Sequence, residues 1–155
     1  MSTSTNDDRL LHYTDMQLET QVCSLDLAKR LKELGVKQES LFCWMKNPED
    51  KEPCIGDTYI IEKAAPDKLI ASAFTVAELG EMLPATLGEP NAPKQIDVEM
   101  YVYHSPRLYE VAVSDYVDIE GKHLPHQIQH AIEPTETDAR AKMLIYLLEN
   151  KLIPL

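Results

Sequence analysis

Glycine is scarce in this chain, with five among 155 residues. A backbone cradle for phosphate needs glycine-rich turns, and neither G-x-x-x-x-G-K-[ST] nor G-x-G-x-x-G occurs. H-E-x-x-H is also missing, and no serine lies in a glycine-flanked elbow, so zinc-protease and serine-hydrolase motifs are excluded. The cysteines Cys23, Cys43 and Cys54 are odd in number and make no C-x-x-C. They read as reduced thiols, and not as a disulfide framework or a zinc site. Positive charge is short as well: 15 Lys and Arg face 26 Asp and Glu, for a net charge of −11. No basic run exceeds Lys29-Arg30. A protein that grips nucleic acid by its phosphates needs a positive footprint, so the composition argues against that partner. Solubility is the ordinary reason for such an acidic balance. The longest apolar run is too short to span a bilayer. The opening MSTSTNDDRL has neither the basic start nor the apolar core of a signal peptide. The expectation is a cytoplasmic protein with no membrane or nucleic-acid partner and no cofactor.

What the chain does have is clear segment patterning. Residues 1–15 are polar and predict a flexible tail, with 16–155 as one α+β domain. Leu27, Ala28, Leu31 and Leu34 share one face of a helix starting near Ser24, and Gly35 supplies a left-handed C-terminal cap. Lys29 and Glu33 are spaced to pair on its wet side. Leu41 to Met45 predicts a strand, and 47–57 a loop. Thr58-Tyr59-Ile60-Ile61-Glu62 has strand propensity, as does Leu69 to Ala73. Thr75 and Glu78 form a capping box for a second helix, which Pro84 stops. Residues 84–94, with three prolines, predict a long surface loop. Ile96, Val98, Met100 and Val102 alternate with polar residues, as do Tyr109, Val111 and Val113 across a turn at 104–107, giving an antiparallel hairpin.

The closing segment is the most distinctive. Thr135 is a good N-cap, Glu136 is spaced to pair with Arg140, and Asp138 with Lys142. Met143-Leu144-Ile145-Tyr146-Leu147-Leu148 then runs apolar without a break, which covers every direction around a helix. Such a helix is a central core element or is shared with another subunit. Met143, Ile145, Tyr146 and Leu148 are therefore candidate interaction residues, and a homo-oligomer is the corresponding expectation. The predicted fold is α+β: an antiparallel sheet of about four to five strands with three helices packed mainly on one face.

One constellation has metal-ligand chemistry. His123, His126 and His130 lie close together with Glu133, and imidazoles at helical spacing could converge on a divalent cation for binding or hydrolysis. Pro125 interrupts that spacing, and the segment also alternates polar and apolar as an exposed strand would. Asp97, Glu99, Glu110 and Asp115 could meet across the hairpin as paired acids, or could form a solvated sheet face. Ser24 through Trp44 faintly echoes a helix-turn-helix. Its reading helix, 37–44, would be short and dominated by Leu41, Phe42 and Trp44, which favour burial. An acidic decoy for a DNA-binding protein would need the acids on one face.

Three blocks carry a resemblance: Ser24 through Trp44, Phe74 through Pro84, and Ala139 through Asn150. Together they resemble small phage- or prophage-encoded bacterial proteins of unknown function. The resemblance covers about half the chain and implies a bacterial cytosolic setting, with no activity or catalytic residue attached. The 84–94 loop and the histidine segment have no counterpart in it. The expectation is a non-enzymatic accessory protein acting through contacts with an unidentified protein partner.

Overall fold

The computed structural model describes residues 18–47, 49, 52–87, 96–103, 108–119 and 122–155. The expected tail at 1–15, the turn at 104–107 and most of the 84–94 loop lie outside them. Helix α1 (Leu25–Glu33) buries Ala28 and Leu31, and Gly35 takes φ +90° just past its end, as the helical spacing predicted. Ser24 does not cap with its side chain; its N–H donates to Asp138 Oδ1 at 2.7 Å, tying the start of α1 to the C-terminal helix.

Strands β1 (Phe42–Met45), β2 (Cys54–Asp57) and β3 (Leu69–Ser72) form a small antiparallel sheet in the order β2–β1–β3. Strand β2 arises where a loop was expected. Gly56 makes it possible: a Cβ there would meet Met45 Sδ at 2.8 Å and Ile61 at 3.1 Å. Residues 58–62 differ most from expectation. They open a helix, α2 (Thr58–Ala64), although their side chains favour strands. Asp57 decides the outcome: its side chain accepts the Ile60 N–H at 3.1 Å and caps the first turn. Between Phe42 and α1 no second helix forms, so the helix-turn-helix echo has no reading helix.

Helix α3 (Val76–Met82) has the predicted capping box, with Glu78 N–H to Thr75 Oγ1 at 3.3 Å and Thr75 N–H to Glu78 Oε2 at 2.7 Å. Strands β4 (Thr86–Leu87), β5 (Ile96–Tyr103), β6 (Leu108–Ile119) and β7 (Lys122–Glu133) form a second antiparallel sheet in that order. The predicted hairpin is β5–β6, with Val98 opposite Val113 and Val102 opposite Tyr109. Pro125 falls in β7, which is an edge strand in this order, where a missing N–H disturbs no inner ladder.

Helix α4 (Glu136–Glu149) lies between the two halves. Thr135 caps it, accepting from Asp138 N, and Glu136 pairs with Arg140 at 2.7 Å. The other predicted pairs are exchanged: Lys142 bonds Glu133, and Arg30, not Lys29, bonds Glu33. On one side Ala139, Met143 and Leu147 pack with Val111, Val113 and Ala131 of the larger sheet. On the other, Ala141, Leu144 and Ile145 join Leu31, Trp44, Phe74 and Leu79 around the smaller one. The fold is thus α+β, but its strands divide into two sheets, and its helices are not gathered on one face. A single sheet offers one apolar surface, whereas α4 is apolar all round and requires two.

Candidate functional site

The histidine segment comes first, because its chemistry depended on helical spacing. It is strand instead: His123, His126, His130 and Glu133 all lie in β7. At about 3.3 Å per residue, His123 and His130 stand roughly 23 Å apart along the strand, and His126 and His130 roughly 13 Å. Metal–nitrogen bonds are about 2 Å long, far shorter than these separations along the backbone. The register also shifts opposite Val113 and Ser114, between the His126 and His130 ends. His130 has a different task. Its Nδ1 lies 2.9 Å from Oε1 of Glu110, a carboxylate buried within the sheet. Glu133 is bonded by Lys142. Among the described residues no group of three or more metal-competent side chains comes together. In place of the helical spacing that the metal reading assumed, His123, His126, His130 and Glu133 lie along one strand, with His130 beside Glu110.

For the paired acids, the register gives each residue's direct partner across the strands. Asp97 lies opposite Ser114, Glu99 opposite Ala112, and Glu110 opposite Tyr101 and Ile132. Asp115 lies opposite Ile96 and His126. No two of these acids face each other across the strands.

The apolar run of α4 is used within its own chain. Met143 is fully buried and Ile145 nearly so, while Tyr146 and Leu148 are half-buried against the two core clusters. Met143 and Ile145 thus pack in the chain's own core, which supplies neighbours on both sides of the helix.

Two of the three cysteines, Cys23 and Cys43, are buried. Burial pushes the Cys23 thiol up to about 12, far above the range where a thiolate forms at neutral pH. Cys43 is raised by the same cause, with the neighbouring Thr58 hydroxyl acting in the opposite direction. Trp44 Nε1 donates to the Cys23 carbonyl at 3.0 Å, fixing that strand–loop junction.

The most distinctive surface feature was not singled out by the sequence. A groove of about 580 Å³ runs between the start of β1 and the first turn of α2, larger than concavities of about 410, 490 and 510 Å³ elsewhere. Leu41 and Tyr59 line it, with side chains 73% and 66% exposed, and Ile60 follows at 58%. Single exposed apolar residues are common on any protein, but here three large ones gather on adjoining segments. Their positions are fixed from beneath. The Leu41 N–H donates to Glu78 Oε1 at 3.0 Å, and its carbonyl accepts from Thr58 N at 3.1 Å. Ser40 also donates to Glu78, at 3.0 Å.

The charges lining the groove are of one sign. Glu39, Asp57, Glu62 and Glu78 contribute four carboxylates, and among the described residues no Lys or Arg lines it. By contrast, the concavity between α1, β7 and α4 balances Arg30 and Lys142 against Glu133 and Glu149. The sequence signal that could have located the groove was Asp57. A capping residue before a strand-like run would have converted that run to a helix and moved Tyr59 and Ile60 to the surface.

No family model matches the chain, no curated protein matches it, and no solved structure matches its fold. Among the described residues no helix is long and apolar enough to cross a membrane.

Proposed function

We propose that this protein is a non-enzymatic accessory protein of phage or prophage type that works in the bacterial cytoplasm by binding another protein. The observation that carries the reading is the set of exposed apolar side chains Leu41, Tyr59 and Ile60, held on hydrogen-bonded backbone beside the acid-lined groove. Fixed apolar anchors bind without a large ordering cost, which is how a small surface reaches useful affinity. The three blocks that resemble small prophage proteins support the bacterial setting. They coincide with α1 and β1, with α3, and with α4, which together form the frame under this surface.

The test is cross-linking of the tagged full-length chain in its bacterial host, followed by mass spectrometry of the conjugates. A defined partner, joined through lysines near the groove at a fixed ratio, is the expected result. Conjugates scattered over the whole surface with no recurrent partner would remove the reading.

A further inference from the structure

The groove also indicates the chemistry of what it holds. We propose that it docks a basic peptide segment of the partner protein, with an apolar side chain seated against Leu41 and Tyr59 and Lys or Arg facing the carboxylates. This rests on the protein-binding reading above and narrows it. Charge complementarity is the first ground: among the described residues the charged side chains lining the groove are four carboxylates, with Lys37 and Lys63 at its edges. Their environments differ, which gives the surface a fixed pattern. Glu78 is immobilised by Thr75, Ser40 and Leu41, and Asp57 by the α2 cap. Glu39 is paired only with the exposed Lys37, at 2.6 Å. Glu62 is exposed and has no ion pair among the described residues. A cation arriving at Glu62 therefore meets a wet, accessible carboxylate, and one arriving at Glu39 competes with an exposed lysine.

The second ground is that a cation already sits on the apolar wall. Lys63 Nζ lies 3.9 Å from the centroid of the Tyr59 ring. The ring face thus accepts a cationic group, and a partner's Arg, which stacks better than Lys does, would take this place by displacing the exposed Lys63. The third ground is the exclusion of other occupants. A second copy of this chain brings another −11 of net charge to an acidic surface, which opposes association. Nucleic acid is repelled for the same reason. A basic segment is instead drawn in by the field of the whole molecule, with an on-rate that falls as salt rises.

Local preference adds independent support. The residues of α2 favour strand, yet they are held as a short helix by the Asp57 cap, with Tyr59 and Ile60 in water. Places where local preference is overruled without a packing gain concentrate at functional surfaces.

The experiment uses the full-length chain and two fluorescein-labelled peptides of about twelve residues, a length that can follow one groove edge in extended form. One alternates arginine with leucine, and the other alternates glutamate with leucine. Anisotropy titrations at low and physiological salt are paired with amide chemical-shift mapping. The basic peptide is expected to bind, more weakly in higher salt, with shifts centred on Leu41, Tyr59, Ile60 and Glu62. The acidic peptide is expected not to bind. Leu41→Ser and Glu62→Lys are each expected to weaken binding by about tenfold, the size of a hot-spot contact. Leu108→Ser, at an exposed apolar residue of the other sheet, is expected to leave it unchanged. All three positions are exposed, and a thermal melt of each variant shows whether it folds. Absence of binding overturns the proposal. So does binding that ignores Leu41→Ser, or shifts spread evenly over the acidic surface, which marks polyelectrolyte attraction only. A host partner captured by cross-linking whose binding survives both substitutions overturns the groove alone; failure to capture any partner removes the broader reading.

Discussion

Helices α4 and α2 make opposite use of apolar residues. Along α4, six consecutive apolar side chains invite an interface, yet the chain itself buries four of them and half-buries Tyr146 and Leu148. In α2, a seven-residue helix leaves Tyr59 and Ile60 more than half exposed, although the smaller sheet stands beside it. The length of an apolar run is therefore a poor guide to interaction in this molecule. The density of neighbours is the better one. The division into two sheets gives α4 an apolar surface on each side, whereas α2 packs only through its inner residues, such as Thr58.

Truncation tests this contrast with the largest effect. Leu147→Ala removes a fully buried side chain between α4 and the larger sheet, and is expected to cost about 2–5 kcal/mol in urea melts. Ile60→Ala on α2 is expected to stay within about 0.5 kcal/mol of the parent. Equal losses at both positions would show that α2 is covered in solution, and the comparison would collapse.

Alkali probes the core from another direction. Cys23 has its folded-state value raised by burial, so the unfolded chain loses its proton first as pH rises. Between about 9 and about 12 the unfolded state binds fewer protons than the native one, and stability falls with pH. The slope for this one thiol approaches about 1.4 kcal/mol per pH unit within that window and vanishes below it. Cys23→Ala flattens the slope, read as the pH dependence of the urea midpoint. A slope unchanged by Cys23→Ala would show that the thiol is not buried as described.

The two caps allow the helices to be compared directly. Asp57→Ala leaves the Ile60 N–H without its acceptor and is expected to cost about 1 kcal/mol. Thr135→Ala removes the acceptor for Asp138 N–H, at a similar cost. The consequences differ in kind. Loss of the Asp57 cap is expected to raise amide exchange in α2 alone, since little packing holds it. Loss of the Thr135 cap leaves α4 protected by its two core faces. Equal exchange in both helices after these changes would show that packing does not distinguish them.

Much of the fold was legible in the sequence, for physical reasons that can be named. The capping box of Thr75 and Glu78, the Gly35 stop and the Thr135 cap are local, so a linear reading finds them. The β5–β6 hairpin was legible because apolar and polar residues alternate along both runs. Two failures have one origin, which is that local preference yields to partners distant in sequence. Thr58 to Glu62 reads as strand, but Asp57 is the end of a β2 strand set by Phe42 opposite it, and from there its carboxylate starts a helix. The histidines read as a cluster because they are near in sequence, but extension in β7 spreads them. The groove was illegible for a similar reason: Leu41, Glu62 and Glu78 come from three elements, and nothing in their spacing foretells that they meet.

The smallest predicted effect concerns the residue that joins the groove to the core. Thr58 is buried at the first turn of α2, and its hydroxyl oxygen makes no hydrogen bond among the described residues. The Cys43 thiol is its polar neighbour, and a thiol is a weak donor and acceptor. A buried hydroxyl with so little compensation costs stability, and valine has the same shape without it. Thr58→Val is therefore expected to stabilise the chain by up to about 1 kcal/mol. It also removes the one influence that lowers the Cys43 thiol from its neighbour's side chain, so that thiol should react still more slowly with a disulfide reagent. Destabilisation by about 1 kcal/mol instead would mean that the hydroxyl has a bound water or a true thiol bond, and that α2 is as fully satisfied within the chain as α4.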